Sequence, residues 1–298
     1  MTQVGSLAGF VVTYNRPEIL AATLDKIFEQ TFPPAKIWII DNSENELTER
    51  YIKSLNNLKL IYHKVGYNAG PAYAINLGFS LVANAGFQWC FWGDDNDPPP
   101  SRDCFEIQFD TLRRNESLST IGMLGIVGHR FNSKNGLLDR VTNEELEDSE
   151  AIVVHSIAGG QSKIVNTVLW EKGVRISDKL FYGFEELDFD IQAKNLGYLG
   201  LVPTSLYKTQ RFRSNTQEEV SVRLLAKDVL WRQYYSTRNL LFIYQKHNLN
   251  FAILFLLTRK LLKFPFEFRK GWGFGITSAK YNFLGIWHWI INKYGKQV

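Results

Sequence analysis

The chain has 298 residues, 45% of them hydrophobic, with 34 Lys and Arg against 30 Asp and Glu. That length and apolar content support a large buried core and exclude a disordered chain. Cys90 and Cys104 are the only cysteines, which excludes a disulfide framework or a Cys-rich zinc site and fits a reducing cytoplasm.

The start, Met1 to Ser6, lacks the basic region and apolar core of a signal peptide. The longest wholly apolar run, Phe251 to Leu257, is too short to span a bilayer. A cytoplasmic protein is expected, with peripheral attachment at the inner face of the membrane as the variant the tail allows. The positive charge is local. From Leu240 to Val298 nine Lys and Arg stand against Glu267 alone, leaving 25 basic and 29 acidic residues elsewhere. A surplus confined to the tail calls for a local partner and not for nucleic acid.

In chain order, Leu7 to Thr13 reads as a buried strand that breaks at Tyr14-Asn15-Arg16-Pro17. Leu20, Leu24, Ile27 and Phe28 then recur at helical spacing, with Pro17 at a helix start. Lys36 to Ile40 is a second strand ending at Asp41-Asn42-Ser43, and Leu47, Tyr51, Ile52 and Leu55 mark a second helix. Leu58 to His63, the turn Asn68-Ala69-Gly70-Pro71, a helix over Ala72 to Ala85 and a strand over Phe87 to Trp92 continue the alternation. Regular βαβ order predicts an α/β fold with a mostly parallel sheet, whose ligand crevice lies outside the strands' carboxyl ends. Three polar clusters fall at such ends: Thr13 to Arg16, Asp41 to Ser43, and Asp94 to Asp97.

In the last cluster, Asp94, Asp95 and Asp97 follow an apolar run and are stopped by Pro98 to Pro100. Oxygen-only ligands with no nearby Cys or His suit Mg²⁺ or Mn²⁺. A polar turn after a buried strand is the alternative reading of the same residues. Asp41 suits a base or ribose, or a helix cap. No G-x-G-x-x-G follows the first strand and no P-loop pattern occurs, which counts against a dinucleotide enzyme and a P-loop ATPase.

Ser101 to Arg114 reads as a helix and Ile121 to Val127 as a strand, while His129 to Glu150 is polar and reads as a loop. Ala151 to Ile157 returns to β character and meets Ala158-Gly159-Gly160, where backbone can approach a ligand closely or simply turn. Glu185, Glu186 and Asp188 crowd the first turn of a helix that Gly197 ends, as its dipole favours, and one of them can serve as a general base. Pro203 to Val222, with Lys208, Arg211 and Arg213, reads as a loop whose cations either meet phosphate or are merely solvated. From Arg223 the pattern is helical again through Asn239.

These motifs resemble family 2 glycosyltransferases with the GT-A fold, nearest to rhamnosyltransferase- and galactofuranosyltransferase-like members, over roughly residues 7 to 240. The resemblance rests on Val11 to Arg16, Ile39 to Ser43, Asn68 to Gly70, Trp92 to Asp97, Glu185 to Asp188 and Tyr234 to Asn239, in that order. It implies a catalytic domain over 1–240, with a donor-binding half to about residue 100 and an acceptor half beyond, and a helical extension over 241–298. It implies that Thr13, Tyr14, Asn15 and Arg16 border the nucleotide, that Asp41 holds its base or ribose, and that Asn68, Gly70 and Gly160 line the donor site. Two of Asp94, Asp95 and Asp97 would be the D-x-D pair holding Mn²⁺ or Mg²⁺ on the donor diphosphate; Asp95 and Asp97 are favoured, with Asp94 close behind. Glu186 falls at the catalytic base, with Glu185 the alternative and Asp188 in support. Two positions depart from the family: Gln192 replaces an Arg common in relatives, and Tyr207-Lys208 stands where many carry a metal-ligating His. Either the metal then has fewer protein ligands or Lys208 itself faces the diphosphate.

The implied reaction is inverting transfer from a nucleoside-diphosphate sugar to a hydroxyl of a glycan or lipid-linked glycan. A sugar nucleotidyltransferase and a non-catalytic nucleotide- or glycan-binding protein are the competing classes. In the tail, Asn250 to Lys270 mixes aromatic and aliphatic side chains with five cations. That pattern suits an anionic membrane interface, or helices that pack on the catalytic domain or form a homo-oligomer contact.

Overall fold

The first strand, β1 (Leu7–Thr13), is buried at every position, and so is β2 (Ile37–Asp41). Such continuous burial requires helices on both faces of a sheet, which is why these strands read as apolar runs and not as alternating ones. The computed structural model describes residues 5–115, 120–216 and 229–298.

α1 (Pro17–Phe28), α2 (Leu47–Ser54), β3 (Leu60–Lys64), α3 (Pro71–Asn84) and β4 (Trp89–Asp94) complete the first half. α4 (Cys104–Arg114), β5 (Ile121–Leu124), β6 (His129–Phe131), β7 (Leu138–Arg140), α5 (Asn143–Asp148), β8 (Ala151–Val154), β9 (Lys163–Asn166) and α6 (Val168–Glu171) follow. Among the described residues the later elements are α7 (Glu185–Asn195), β10 (Leu199–Pro203), α8 (Thr204–Thr216), α9 (Trp231–Lys246), α10 (Asn250–Glu267) and α11 (Trp272–Ile290).

Eight strands form one sheet in the order β3-β2-β1-β4-β9-β5-β10-β8. β1, β2, β3 and β4 run parallel, β5 and β10 run parallel to each other, and β9 and β8 enter antiparallel. On one face Phe10, Phe79, Trp92 and Phe189 build an aromatic core, with Phe79 stacked on Phe189 at 5.2 Å. On the other, Leu20 and Leu24 of α1 and Phe105 and Phe109 of α4 close the sheet. The register sets Thr13 opposite Asp41, and Val12 opposite Asp94. Three polar clusters thereby reach one edge.

Two stretches differ from the sequence reading. His129 to Glu150 holds the β6–β7 hairpin and α5, a six-residue helix started by a Thr142–Glu145 capping box that buries Leu146. Residues 204–216 are α8 and not a loop, with Leu206 and Tyr207 buried beneath a polar outer face. The rest of that stretch, 217–222, and the helical reading of 223–228 lie outside the described residues.

Candidate active site

β4 carries its acids past the sheet edge, and their neighbours decide where each one points. Asp95 is fully buried: Thr13 Oγ1 donates to its Oδ2 at 2.8 Å, Arg16 lies 2.5 Å from its Oδ1, and its carbonyl accepts from Thr23. Burial raises its carboxyl to about 6 against the Thr13 hydrogen bond, which lowers it. Asp94 is half exposed and Asp97 partly so, and both line a cleft of about 620 Å³. Burial, then the Asp94 charge, raises the Asp97 carboxyl. The cleft-facing pair is therefore Asp94 and Asp97, whereas the sequence reading favours Asp95 and Asp97. Asp95 instead ties Arg16 and β1 to the acidic turn.

Among the described residues no group of three His, Cys, Asp or Glu is placed to hold a metal. Two carboxylates still fit Mg²⁺ or Mn²⁺, which fill most of their shell with water and phosphate oxygens.

The second acidic cluster begins at Phe184, whose φ of 70° is left-handed and starts α7 abruptly. Glu185 is buried and accepts from Gly183 N at 2.6 Å; burial, then the neighbouring Glu186, raises it to about 8. Burial also raises Glu186, while Lys163 opposes that shift. Both glutamates line the cleft. Asp188 does not: it is fully buried and accepts from Lys246, from His247 and from Ser177 N. Burial alone would raise it, but these partners hold its carboxyl below the usual range. It joins α7 to the end of α9.

Gly159 and Gly160 separate the two clusters. A Cβ on Gly159 would strike the Glu186 carboxylate, and one on Gly160, at φ 69°, would strike that of Asp97. Only glycine leaves room for both acids here. The segment before them is pinned by Asp190, which accepts from Ser156 Oγ and Ile157 N at 2.9 Å each. Lys163 neutralises Asp190 at 2.5 Å, donates to Ile157 O and lies 4.6 Å from the Trp92 ring centroid, with both ionic side chains buried.

The other expected donor-site residues divide. Thr13, Tyr14, Arg16, Asn68 and Gly160 line the cleft, whereas Gly70 is buried outside the lining, where a Cβ would strike the Phe181 carbonyl. Asn15 bonds Ser43 and Asn45 on its rim. Asp41 is fully buried, and its oxygens are engaged by Tyr62 Oη and Ser43 N, each at 2.8 Å. It shapes the strand end, and its neighbour Asn42 lines the cleft instead, with an Oδ1 that has no hydrogen-bond partner among the described residues. Lys208 is exposed on α8, away from the cleft lining.

Sequence reasoning passed over an aromatic wall: Phe181, Tyr182, Phe184 and Trp231. Arg238 and Asn239 hold that wall in place. The buried Arg238 guanidinium donates to Leu180, Lys179 and Gly295 carbonyls, and the Asn239 amide to Leu180, Tyr182 and Gly183 carbonyls. A signal was present, since a run as polar as Ser236 to Asn239 inside an apolar helix needs partners.

No curated protein matches the sequence. A mannosyltransferase from Pyrobaculum calidifontis, solved with GDP-Man and Mn²⁺, superimposes with a TM-score of 0.58 at 13% identity, over 98% of this chain and 89% of that one. GalNAc-T7, solved with UDP, GalNAc and Mn²⁺, gives 0.53 at 14% identity over 68% and 43%. TarS 1–349 from S. aureus gives 0.47 at 18% identity over 63% of this chain, which spans about half (55%) of that one. At these identities the first two likenesses establish the fold, which is GT-A. The sequence profile of glycosyl transferase family 2 matches residues 10–169, more than half of the chain, and runs from within β1 through β4, the acidic turn and the paired glycines. The chain belongs to glycosyl transferase family 2.

Proposed function

We propose that the protein is an inverting glycosyltransferase that moves a sugar from a nucleoside-diphosphate donor to a hydroxyl of a glycan or lipid-linked glycan acceptor. The observation that carries this reading is the pair of acids parted by Gly159 and Gly160, Asp97 on one side and Glu186 on the other. A single displacement needs that division, with charge stabilised at the leaving group and a proton removed at the attacking oxygen.

Asp94 and Asp97 would hold Mn²⁺ or Mg²⁺, which supplies positive charge to the donor diphosphate as the sugar bond breaks. Arg16, 2.5 Å from Asp95 and on the cleft wall, adds a fixed cation on the same side. The aromatic wall formed by Tyr182 and Trp231, whose centroids lie 5.0 Å apart, offers a face on which a sugar ring can stack and from which water is excluded. Glu186 takes the acceptor proton, and its raised proton affinity makes it a stronger base than a solvated carboxylate. The mannosyltransferase of the same fold was solved with GDP-Man and Mn²⁺, and this supports a sugar-nucleotide donor here.

Calorimetry with a panel of nucleotide sugars and Mn²⁺ tests the donor. Glu186→Gln should bind that donor as well as the native protein while losing transfer by about 10²- to 10⁴-fold. Full activity of Glu186→Gln, or pyrophosphate release from a nucleoside triphosphate, would overturn the reading.

A further inference from the structure

More than half of the large apolar side chains left exposed among the described residues lie between Phe251 and Ile291. They are not scattered. On α10, Phe251, Leu254, Phe255, Leu261, Leu262 and Phe266 follow helical spacing along one outward stripe, with Leu261 73% and Leu262 65% exposed. The opposite side of the same helix buries Ala252 and Leu256 against the protein. A helix that is apolar on both sides is covered on both sides, and this fold covers only one. α11 continues the surface with Ile276, Phe283 and Trp287.

The charge of this segment points to what covers the stripe. Arg259, Lys263, Arg269, Lys270 and Lys280 fall on the same two helices and the segment between them, and Glu267 is the single acid between residues 240 and 298. A second copy of the chain would bring two strongly cationic faces together, so charge opposes pairing. Among the described residues no helix is long and apolar enough to cross a membrane, so the surface lies along its partner and does not pass through it.

A groove of about 980 Å³ opens between α9, α10 and α11, walled by Leu256, Leu257, Phe264, Phe283 and Ile286. Lys260 sits within it. Its Nζ donates to Asn282 Oδ1 at 2.6 Å and has no carboxylate within ion-pair distance among the described residues. Burial, helped by Arg259 and Lys263 and opposed by Glu267, pushes this ammonium down to about 8. An apolar slot holding a desolvated lysine matches a molecule with a hydrocarbon chain and an anionic head.

We propose that α10 and α11 form the docking surface for a bilayer interface containing anionic phospholipid, with the apolar stripe among the acyl chains and the cations of this segment on lipid phosphates. This deepens the lipid-linked acceptor reading by naming the surface on which such an acceptor is met. Vesicle binding requires no turnover, so its failure leaves the transfer reaction standing, and failure of transfer leaves docking standing.

The test is flotation of the full chain with phosphatidylcholine vesicles, with and without phosphatidylglycerol. Binding should require the anionic lipid and weaken as salt is raised. Leu261→Ser/Leu262→Ser should reduce partitioning about tenfold or more, and Lys263→Gln and Lys280→Gln about fivefold each. Donor binding by calorimetry should remain unchanged in all of them, which shows that the variants are folded. Three results would overturn the proposal: no flotation with either vesicle, flotation unchanged in the double Leu variant, or a dimer in sedimentation equilibrium that the same variant dissociates.

Discussion

Replacing Gly159 by alanine tests the placement of one carboxylate with little other disturbance. Its φ lies outside the left-handed range, so alanine carries no backbone strain there. The added Cβ would overlap Glu186 Oε1 and lie 3.1 Å from Cδ, so the carboxylate must swing aside by roughly 1 Å to reach ordinary contact. A displacement on the order of 1 Å at a reacting group costs about a hundredfold in rate, or about 2.7 kcal/mol of activation free energy. Asp94, Asp97 and Arg16 are untouched, so donor affinity should stay within about twofold. The assay is nucleoside-diphosphate release from the donor identified by calorimetry, with kcat and donor Kd measured separately. Gly160→Ala supplies the contrast: at φ 69° it carries about 1–2 kcal/mol of backbone strain, and its Cβ meets Asp97. That variant should lose metal-dependent donor affinity. Native kcat in Gly159→Ala, or parallel loss of donor binding and turnover, would refute the division of labour between the two acids.

Asp94→Asn and Asp97→Asn should each weaken Mn²⁺-dependent donor binding at least tenfold in calorimetry, while Asp95→Asn should lower the melting temperature more than it changes the metal dependence. Turnover should rise from acidic to alkaline pH, because a base with raised proton affinity is protonated at low pH and active above its pKa; a flat profile would contradict Glu186 as the base. Glu185 has its ionised form disfavoured on folding, so its contribution to stability is full below about 4.5 and is lost as pH rises towards about 8. Glu185→Gln should therefore flatten the fall in melting temperature across that window. Lys163→Met leaves Asp190 buried without a cation and should destabilise by about 3–5 kcal/mol in denaturant titration, whereas Lys163→Met/Asp190→Leu should recover most of that loss.

The strand and helix alternation up to β4 was legible because each buried strand reads as an unbroken apolar run and each helix carries a 3.6-residue stripe. The convergence of Thr13, Asp41 and Asp94 on one edge followed from the topology alone. Their division of labour did not. Asp94, Asp95 and Asp97 are chemically alike, and what turns Asp95 inward is Thr13 and Arg16, 79 or more residues earlier in the chain. Asp41 resembled a ligand contact because nothing local reveals that Tyr62, on the adjacent strand, already engages it. α8 was hidden by its polar outer face, and the β6–β7 hairpin by strands of only three residues. Asp188 marks a similar limit, since its partners Lys246 and His247 lie at the end of a helix whose place no spacing rule supplies.

α9 gives the tail a bearing on the cleft. Trp231 lines the cleft, Arg238 grips the Lys179 and Leu180 carbonyls just before the aromatic loop, Asn239 grips the Tyr182 and Gly183 carbonyls within it, and Lys246 closes on Asp188 of α7. The same helix carries Tyr234 and Thr237, which bond His288 and Asn282 of α11. One helix thus connects the aromatic wall of the cleft with α10 and α11. A fully buried guanidinium with no carboxylate within ion-pair distance among the described residues is costly unless its donors are held, and here they are held by the carbonyls of Lys179, Leu180 and Gly295 together with Tyr234 Oη and Asn239 Oδ1. Arg238→Lys cannot reproduce that fork. The wall would loosen, and acceptor KM should rise while donor Kd stays fixed; a change confined to donor binding would show that α9 supports the fold without setting the acceptor side of the cleft.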